Sequence, residues 1–354
     1  VTRITATSRA SRLRGRRIVV PMLLTVALLA ACSPQAEPTP SATPSETPRA
    51  TSTFTPAPSP PPTTAAAPLR GTEMPIGEAS RPALSAKIDN QIDARPQWGL
   101  DRTDIVFEEL VEGGLTRYVA VWHSEVPAKI GPVRSIRPMD PDIAGPLGGI
   151  IAYSGGQERF VSMMKKTELH NAVHGGKDDR FMYRTDARQA PHNVILRADA
   201  IVDHYDALDA PAAQFRYSPS GWAPLFGRAS KGVDVRFSPA SERNWRWNGE
   251  KKAYLRSQAG KPDRVAGAGR ISAKNVVVLE VDIDWRYGDI PKTVMVGKGR
   301  GWVSTGGSAM GVTWSKKSRD SRIVLRNDAG TEVRLAPGNT WVELVPKAGS
   351  VTVL

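Results

Sequence analysis

Among 354 residues there is one cysteine, Cys32, and it lies directly behind a short apolar run. A chain with one thiol forms no internal disulfide and has no second thiolate for a cysteine metal site. Whatever folds here must be held by a packed core. The apolar run extends from Ile18 to Ala31, broken by Pro21 and Thr25, and follows Arg3, Arg9, Arg12, Arg14, Arg16 and Arg17. It is shorter than the roughly 20 apolar residues a membrane span needs. Its basic-then-apolar order has the form of an export signal over residues 1–31.

Leu29-Ala30-Ala31-Cys32 resembles the bacterial lipobox. That resemblance implies lipidation at Cys32 and a membrane anchor holding the rest of the chain on the extracytoplasmic face of the cell membrane. Ser33 to about Pro68 is dominated by Pro, Ser, Thr and Ala, with little to bury. Such a segment cannot recover its ordering entropy, so residues 32–70 are expected to be a disordered stalk.

Charge is unevenly spread. The chain carries a formal +13, but residues 32–222 hold 19 Lys and Arg against 23 Asp and Glu, whereas residues 223–354 hold 23 against 12. A basic C-terminal third behind an export signal points to anionic wall polymers or lipid-linked glycans as partners rather than nucleic acid; a protein partner remains open.

The spacing predicts a mixed α/β (α+β) N-terminal domain over 71–222 and a mostly β C-terminal domain over 223–354. Ala83 to Ile88 and Gly149 to Tyr153 read as strands. Asp104 to Glu112 and Leu115 to His123 read as a hairpin turning at Gly113-Gly114. Glu158 to Lys166 and Ala198 to Leu208 have helical spacing. In the second half, Val233–Phe237, Ala253–Leu255, Asn275–Asp284, Lys292–Val296, Val312–Trp314, Arg322–Arg326, Thr331–Leu335 and Thr340–Val345 are short runs of strand character separated by turn residues.

Several of these segments carry a resemblance. Lys87-Ile88-Asp89-Asn90, Ala94-Arg95-Pro96-Gln97-Trp98-Gly99-Leu100, Glu112-Gly113-Gly114-Leu115-Thr116-Arg117, Gly131-Pro132-Val133-Arg134-Ser135-Ile136-Arg137-Pro138 and Pro191-His192-Asn193 look like the YerB family of bacterial lipoproteins. So do Lys274-Asn275-Val276-Val277-Val278 and Pro337-Gly338-Asn339-Thr340-Trp341-Val342. The resemblance implies two domains of unknown function on a lipid anchor.

The candidate binding residues follow from these segments. Asp89 and Asn90 form a polar loop at the end of a strand, and Arg95 is a candidate third cation alongside Arg134 and Arg137. With a two-residue turn, Leu110 faces Arg117, and Glu108 and Glu112 flank it on one face. That group is either a structural ion cluster or a site for a cation or base. Arg134 and Arg137, bracketed by prolines, offer planar forks suited to phosphate oxygens. Tyr153, Gly155 and Gly156 end a strand where backbone N–H groups could approach a ligand. Arg188, His192 and Asn193 share one motif, with His192 either an acid–base group or a hydrogen-bonded histidine. His170 and His174 lack a neighbouring carboxylate, so no metal is expected. The tryptophans, concentrated at and after Trp222, are expected in the β core.

With no complete catalytic motif, the leading expectation is a non-enzymatic binding or scaffold module without a cofactor. The alternative is a phosphotransferase or hydrolase acting on a polyprenyl-pyrophosphate-linked glycan with magnesium. It rests on a motif order, Arg102/Asp104, Arg134/Arg137, Tyr153-Ser154-Gly155-Gly156, Arg184 and Arg188, that is similar to LytR-CpsA-Psr phosphotransferases. Pro138 departs from that pattern where an acidic residue is expected. In that reading Asp104 and Glu112 join Arg134 and Arg137 in one pocket.

Overall fold

A computed structural model of the chain describes residues 61–219 and 227–354. The expected export signal, Cys32, most of the expected stalk and the expected boundary at residues 222/223 lie outside the described residues. The last part of the expected stalk is folded: Thr64–Ala66 (β1) pairs with Glu73–Pro75 (β2). Ala67 and Leu69 are buried, because the few apolar residues of this segment find the core formed by Phe215, Tyr217 and Leu335.

The N-terminal half supplies Leu84–Asp89 (β3), Ile105–Leu110 (β4), Thr116–Trp122 (β5), Ile150–Tyr153 (β6) and His170–Val173 (β7). Its main helices are short: Asp140–Ala144 (α1), Glu158–Met164 (α2) and Ala198–His204 (α3). The C-terminal half supplies Gly232–Ser238 (β8), Ser241–Asn248 (β9), Ala253–Gln258 (β10), Asn275–Val281 (β11), Gly297–Thr305 (β12), Ser308–Lys316 (β13), Thr340–Pro346 (β14) and Ser350–Val353 (β15). The chain is thus mostly β, and the expected α/β mixture of the first half reduces to strands decorated by one- and two-turn helices.

Both halves build one sheet. Among the described residues its central order is β13-β12-β11-β14-β4-β5-β3-β6-β7. β14 lies between β11 and β4 and runs parallel to both, with Val342 opposite Val277 and Phe107. Every residue of β3, β4 and β14 is buried, as expected of central strands covered on both faces. Ala86, Ile88, Val106, Tyr118, Val276 and Trp341 pack against a second sheet through Val233, Val235, Phe237 and Trp245. On the opposite face, Phe107, Val119, Val277 and Val342 pack against Ile143, Phe160 and Met164 of the helices. Trp245, Trp314 and Trp341 are buried, whereas Trp285 is 57% exposed.

The hairpin register differs from the expected one. Leu110 faces Thr116, and Glu109 faces Arg117. The connection spans Val111 to Leu115, closed by the Val111 N–H donating to the Leu115 carbonyl at 2.8 Å. Gly113 and Gly114 adopt φ values of +68° and +70°, which only glycine takes readily. A one-residue slip moves each side chain to the other face, and that relocates the carboxylates.

Candidate functional site

The slip separates Glu108 from Arg117. Glu108 points between the two sheets and is fully buried. Its Oε1 accepts from Arg243 Nε at 2.7 Å and from Thr116 Oγ1 at 2.6 Å, and Oε2 contacts Arg256 Nη2. Arg256 also pairs with Asp263 and lies over the Trp341 ring at 4.8 Å. Glu343 stands opposite Glu108 across the β14–β4 ladder, and its Oε1 accepts from Trp245 Nε1 at 2.6 Å. Two sealed carboxylates on neighbouring strands cannot both ionise cheaply. Burial alone would raise Glu108, but Arg243 and Arg256 hold it at about 2. Burial and the Glu108 charge push Glu343 up to about 8. Asn90 joins this interior group by donating to Thr116 Oγ1 at 2.7 Å. Arg95 also belongs to this side, where burial lowers its pKa and Arg243 and Arg256 add to the effect.

Arg117 projects from the helix-bearing face into a cleft of about 100 Å³ lined by Asp89, Gln91, Glu112, Leu115, Arg117 and Arg137, among others. A water occupies about 30 Å³ of liquid, so the cleft suits a group of a few heavy atoms. Asp89 Oδ2 accepts from Arg134 Nε at 2.9 Å and lies 2.7 Å from His192 Nδ1. Glu112 Oε2 accepts from Arg137 Nε at 2.7 Å. Although burial acts to raise it, the Arg137 bond and charge hold Glu112 below its ordinary pKa. Arg117 donates through Nη1 to the Ser135 carbonyl at 3.0 Å and forms no ion pair with a carboxylate among the described residues. Burial, reinforced by Arg137 and Arg134, lowers it to about 10.

Donors outnumber acceptors here. Nε and Nη2 of Arg117, both Nη atoms of Arg134 and Nη2 of Arg137 have no protein acceptor among the described residues. The arginine segment is held from behind by the glycine pair: Ile136 N–H donates to the Gly155 carbonyl at 3.1 Å, and Ser154 N–H donates to the Arg134 carbonyl at 3.0 Å. A Cβ on Gly156 would meet Ile136 Cγ1 at 3.0 Å. Past the Val111–Glu112 edge a larger groove of about 900 Å³ opens, lined by Phe237, Pro239, Ile283 and Trp285.

The cleft therefore gathers Asp89, Glu112, Arg117 and Arg137, and Arg134 and His192 adjoin it through their contacts with Asp89. Other expected residues lie elsewhere. Asp104, at the far end of β4, accepts from the backbone N–H groups of His123 and Ser124 at 2.6 and 2.8 Å. Asp104 precedes β4 and Glu112 follows it, eight positions further along the chain or roughly 25 Å at the usual rise, so the four-residue pocket of the phosphotransferase alternative is not assembled. Tyr153 donates to Asn171 Oδ1 at 2.9 Å, and burial raises it to about 12. Arg188 binds the Asp93 and Pro96 carbonyls and lies 4.4 Å over Trp98. Asn193 Oδ1 accepts from Arg184 at 2.7 Å. The histidines thought to lack carboxylates have them: His170 Nε2 is 2.8 Å from Asp178, and His174 Nδ1 is 2.7 Å from Asp179. They form two separate pairs, and among the described residues no group of three or more potential ligands converges on a metal site.

Sequence reasoning missed Lys87, Glu109, Asp140, Arg243, Arg256 and Glu343, all buried. One signal was present. Adjacent Glu108 and Glu109 inside an apolar strand must point to opposite faces, so a central strand needs a buried cation on each side.

Comparison with known proteins places this architecture. The family models described as "Protein of unknown function (DUF3048)" match the chain twice, the N-terminal domain at residues 71–211 and the C-terminal domain at residues 233–342. The chain belongs to this family. Among its relatives is the Bacillus subtilis (strain 168) protein named "Putative lipoprotein YerB", 27% identical over 306 residues, which are 81% of this chain and 88% of that protein. The crystal structure of YerB from Bacillus subtilis matches with a TM-score of 0.72 at 22% identity, covering 81% of this chain and 99% of that one. The fold is shared.

Proposed function

We propose that this chain is a lipoprotein, anchored through Cys32 on the extracytoplasmic face of the membrane, whose arginine cleft binds the oxyanion group of an anionic cell-envelope component. The anchor is supported by the Leu29-Ala30-Ala31-Cys32 sequence and by the name of its Bacillus relative. The observation that carries the binding reading is the donor surplus of Arg117, Arg134 and Arg137. Guanidinium groups with unused N–H donors in a half-buried cleft are matched by phosphate or carboxylate oxygens. Cleft size limits the bound group to a small head, while the adjoining groove has room for the rest of a larger molecule. No step of bond making is assigned to the site.

Isothermal titration of the chain with inorganic pyrophosphate and with an anionic wall polymer tests the binding. The expected result is saturable heat for at least one of them that weakens as salt rises and disappears in Arg117→Ala. Heat unchanged in Arg117→Ala would sink the assignment to this cleft. The anchor is tested separately: Cys32→Ala is expected in the medium, and its retention on the membrane would refute lipidation there.

A further inference from the structure

On the helix-bearing face, beneath the arginine cleft, three ionisable groups meet without access to solvent. Lys87 comes from the middle of β3, Glu109 from β4 and Asp140 from the first residue of α1, and each is 0% exposed. Lys87 Nζ lies 2.7 Å from Asp140 Oδ1 and contacts Glu109 Oε1 on its other side. Asp140 Oδ2 accepts the Arg137 backbone N–H at 2.6 Å. Neither Glu109 oxygen has a hydrogen-bond partner apart from that lysine contact. Apolar side chains of the same core, including Val119 opposite Lys87 and Met139 beside Asp140, close the space.

We propose that Lys87 and Asp140 condense to an intramolecular isopeptide bond, with Glu109 relaying the proton. One ammonium and two carboxylates are sealed together, with the Arg117 and Arg137 guanidiniums near enough to act on Lys87, so keeping all three groups ionised in this interior is costly. Burial, opposed by Asp140 but reinforced by Arg117 and Arg137, lowers Lys87 to about 8. Transfer of one proton from Lys87 to Asp140 then gives a neutral amine beside a neutral acid at no change in total charge. The Nζ lone pair attacks Asp140 Cγ, and the carbonyl π electrons move to Oδ2, where the Arg137 N–H receives the developing charge. Glu109 takes a proton from Nζ and passes it to the Oδ1 hydroxyl. The Cγ–Oδ1 bond breaks, Oδ1 leaves as water, and the Oδ2 carbonyl re-forms. The sum is amine plus carboxylic acid giving amide plus water, with Glu109 regenerated and no oxidant required. Holding the groups in contact supplies effective molarities of about 10⁵ M or more in well-oriented systems. The product replaces a buried ion pair by an amide and ties β3 to α1, so a covalent clamp spans the β4–β5 hairpin and the Arg134–Arg137 segment. This inference does not rest on what the cleft binds.

The test is peptide mapping by mass spectrometry of the full chain, purified folded and then denatured and digested with trypsin. The expected result is no cleavage after Lys87 and a joined pair of peptides, one with Lys87 and one with Asp140, lighter than their sum by one water. Lys87→Met and Asp140→Ala should each yield only separate peptides, and Glu109→Gln should leave the peptides unjoined in a chain whose circular dichroism is unchanged. Separate Lys87 and Asp140 peptides at their sequence masses from the folded wild-type chain would overturn the proposal. A link from Lys87 to Glu109 instead would overturn the choice of partner.

Discussion

Two arginine–carboxylate clusters grow from the same hairpin and end in opposite circumstances. Around Glu108, all three nitrogens of Arg243 are occupied, by Glu108, the Glu242 carbonyl and Thr116. That cluster is closed on every side by the two sheets. Around Arg117, the arginines keep unused donors, and Arg137 and Glu112 retain side-chain exposures of 12% and 33%. The residue types are alike in both places, so composition does not tell them apart. What differs is whether a leftover donor can be reached: inside, the Nε of Arg256 has no acceptor but is sealed from solvent, whereas the leftover donors at Arg117 and Arg137 border a cleft. The sealed cluster fixes how two sheets pack; the open one gives a ligand something to bind.

This contrast breaks first at Glu108. Replacing it with Ala leaves the buried Arg243 without a carboxylate and Arg256 with Asp263 alone, and should cost about 3–5 kcal/mol, the range for removing one partner of a buried pair, read from the denaturant midpoint. A loss no larger than that of a surface substitution would mean the interior cluster is not sealed. Next comes pH. Because Glu343 is raised to about 8 when folded, the folded state holds a proton that the unfolded chain releases near the ordinary glutamate value. Stability from this group is therefore full below that value and falls as pH rises toward about 8. The loss should be about 2 kcal/mol at 1.4 kcal/mol per pKa unit, discounted for coupling. Glu343→Gln should flatten that slope in thermal unfolding from pH 5 to 8. Glu108 acts in the opposite sense, its contribution being lost only as pH falls toward about 2.

At the open cluster the expectations reverse. Arg137→Ala should lower pyrophosphate affinity by about tenfold or more, the cost of cutting a buried charged contact, while moving the unfolding midpoint little. If stability falls as far as in the Glu108 variant, the two clusters are of one kind. The smallest effect is expected at the Arg102–Glu125 surface pair, whose side chains are 49% and 46% exposed. Arg102→Ala should change stability by less than about 1 kcal/mol and leave anion binding unaltered, as follows from its place outside the cleft.

Much of the sheet was legible because its strands are apolar runs between glycine and proline signals. The exceptions have physical causes. Ser241–Asn248 escaped notice because its buried positions include Ser241 and Arg243 as well as Trp245, so no apolar alternation marks it. Gly297–Thr305 is glycine-rich, and Gly301 is required where a Cβ would lie 2.5 Å from the Val278 carbonyl oxygen. The hairpin was recognised, but its register was not, since β4 is buried on both faces and its pattern does not say which face is which. Arg134, Arg137 and Glu112 could be singled out as candidates because they lie in compact motifs. Arg243 and Arg256 could not, because their partner lies more than a hundred residues earlier in the chain.

The position of β14 has a consequence for the order in which the molecule is assembled. It is made after both of its neighbours, yet it sits between β11 and β4 and joins the two halves of the main sheet. Until residue 346 has emerged, the edges of both strands wait unpaired, each offering a row of free backbone groups to any neighbouring chain. A growing chain of this kind is exposed to mispairing until β14 has been made and paired. A truncation before Thr340 should therefore leave the two halves as separate, aggregation-prone fragments.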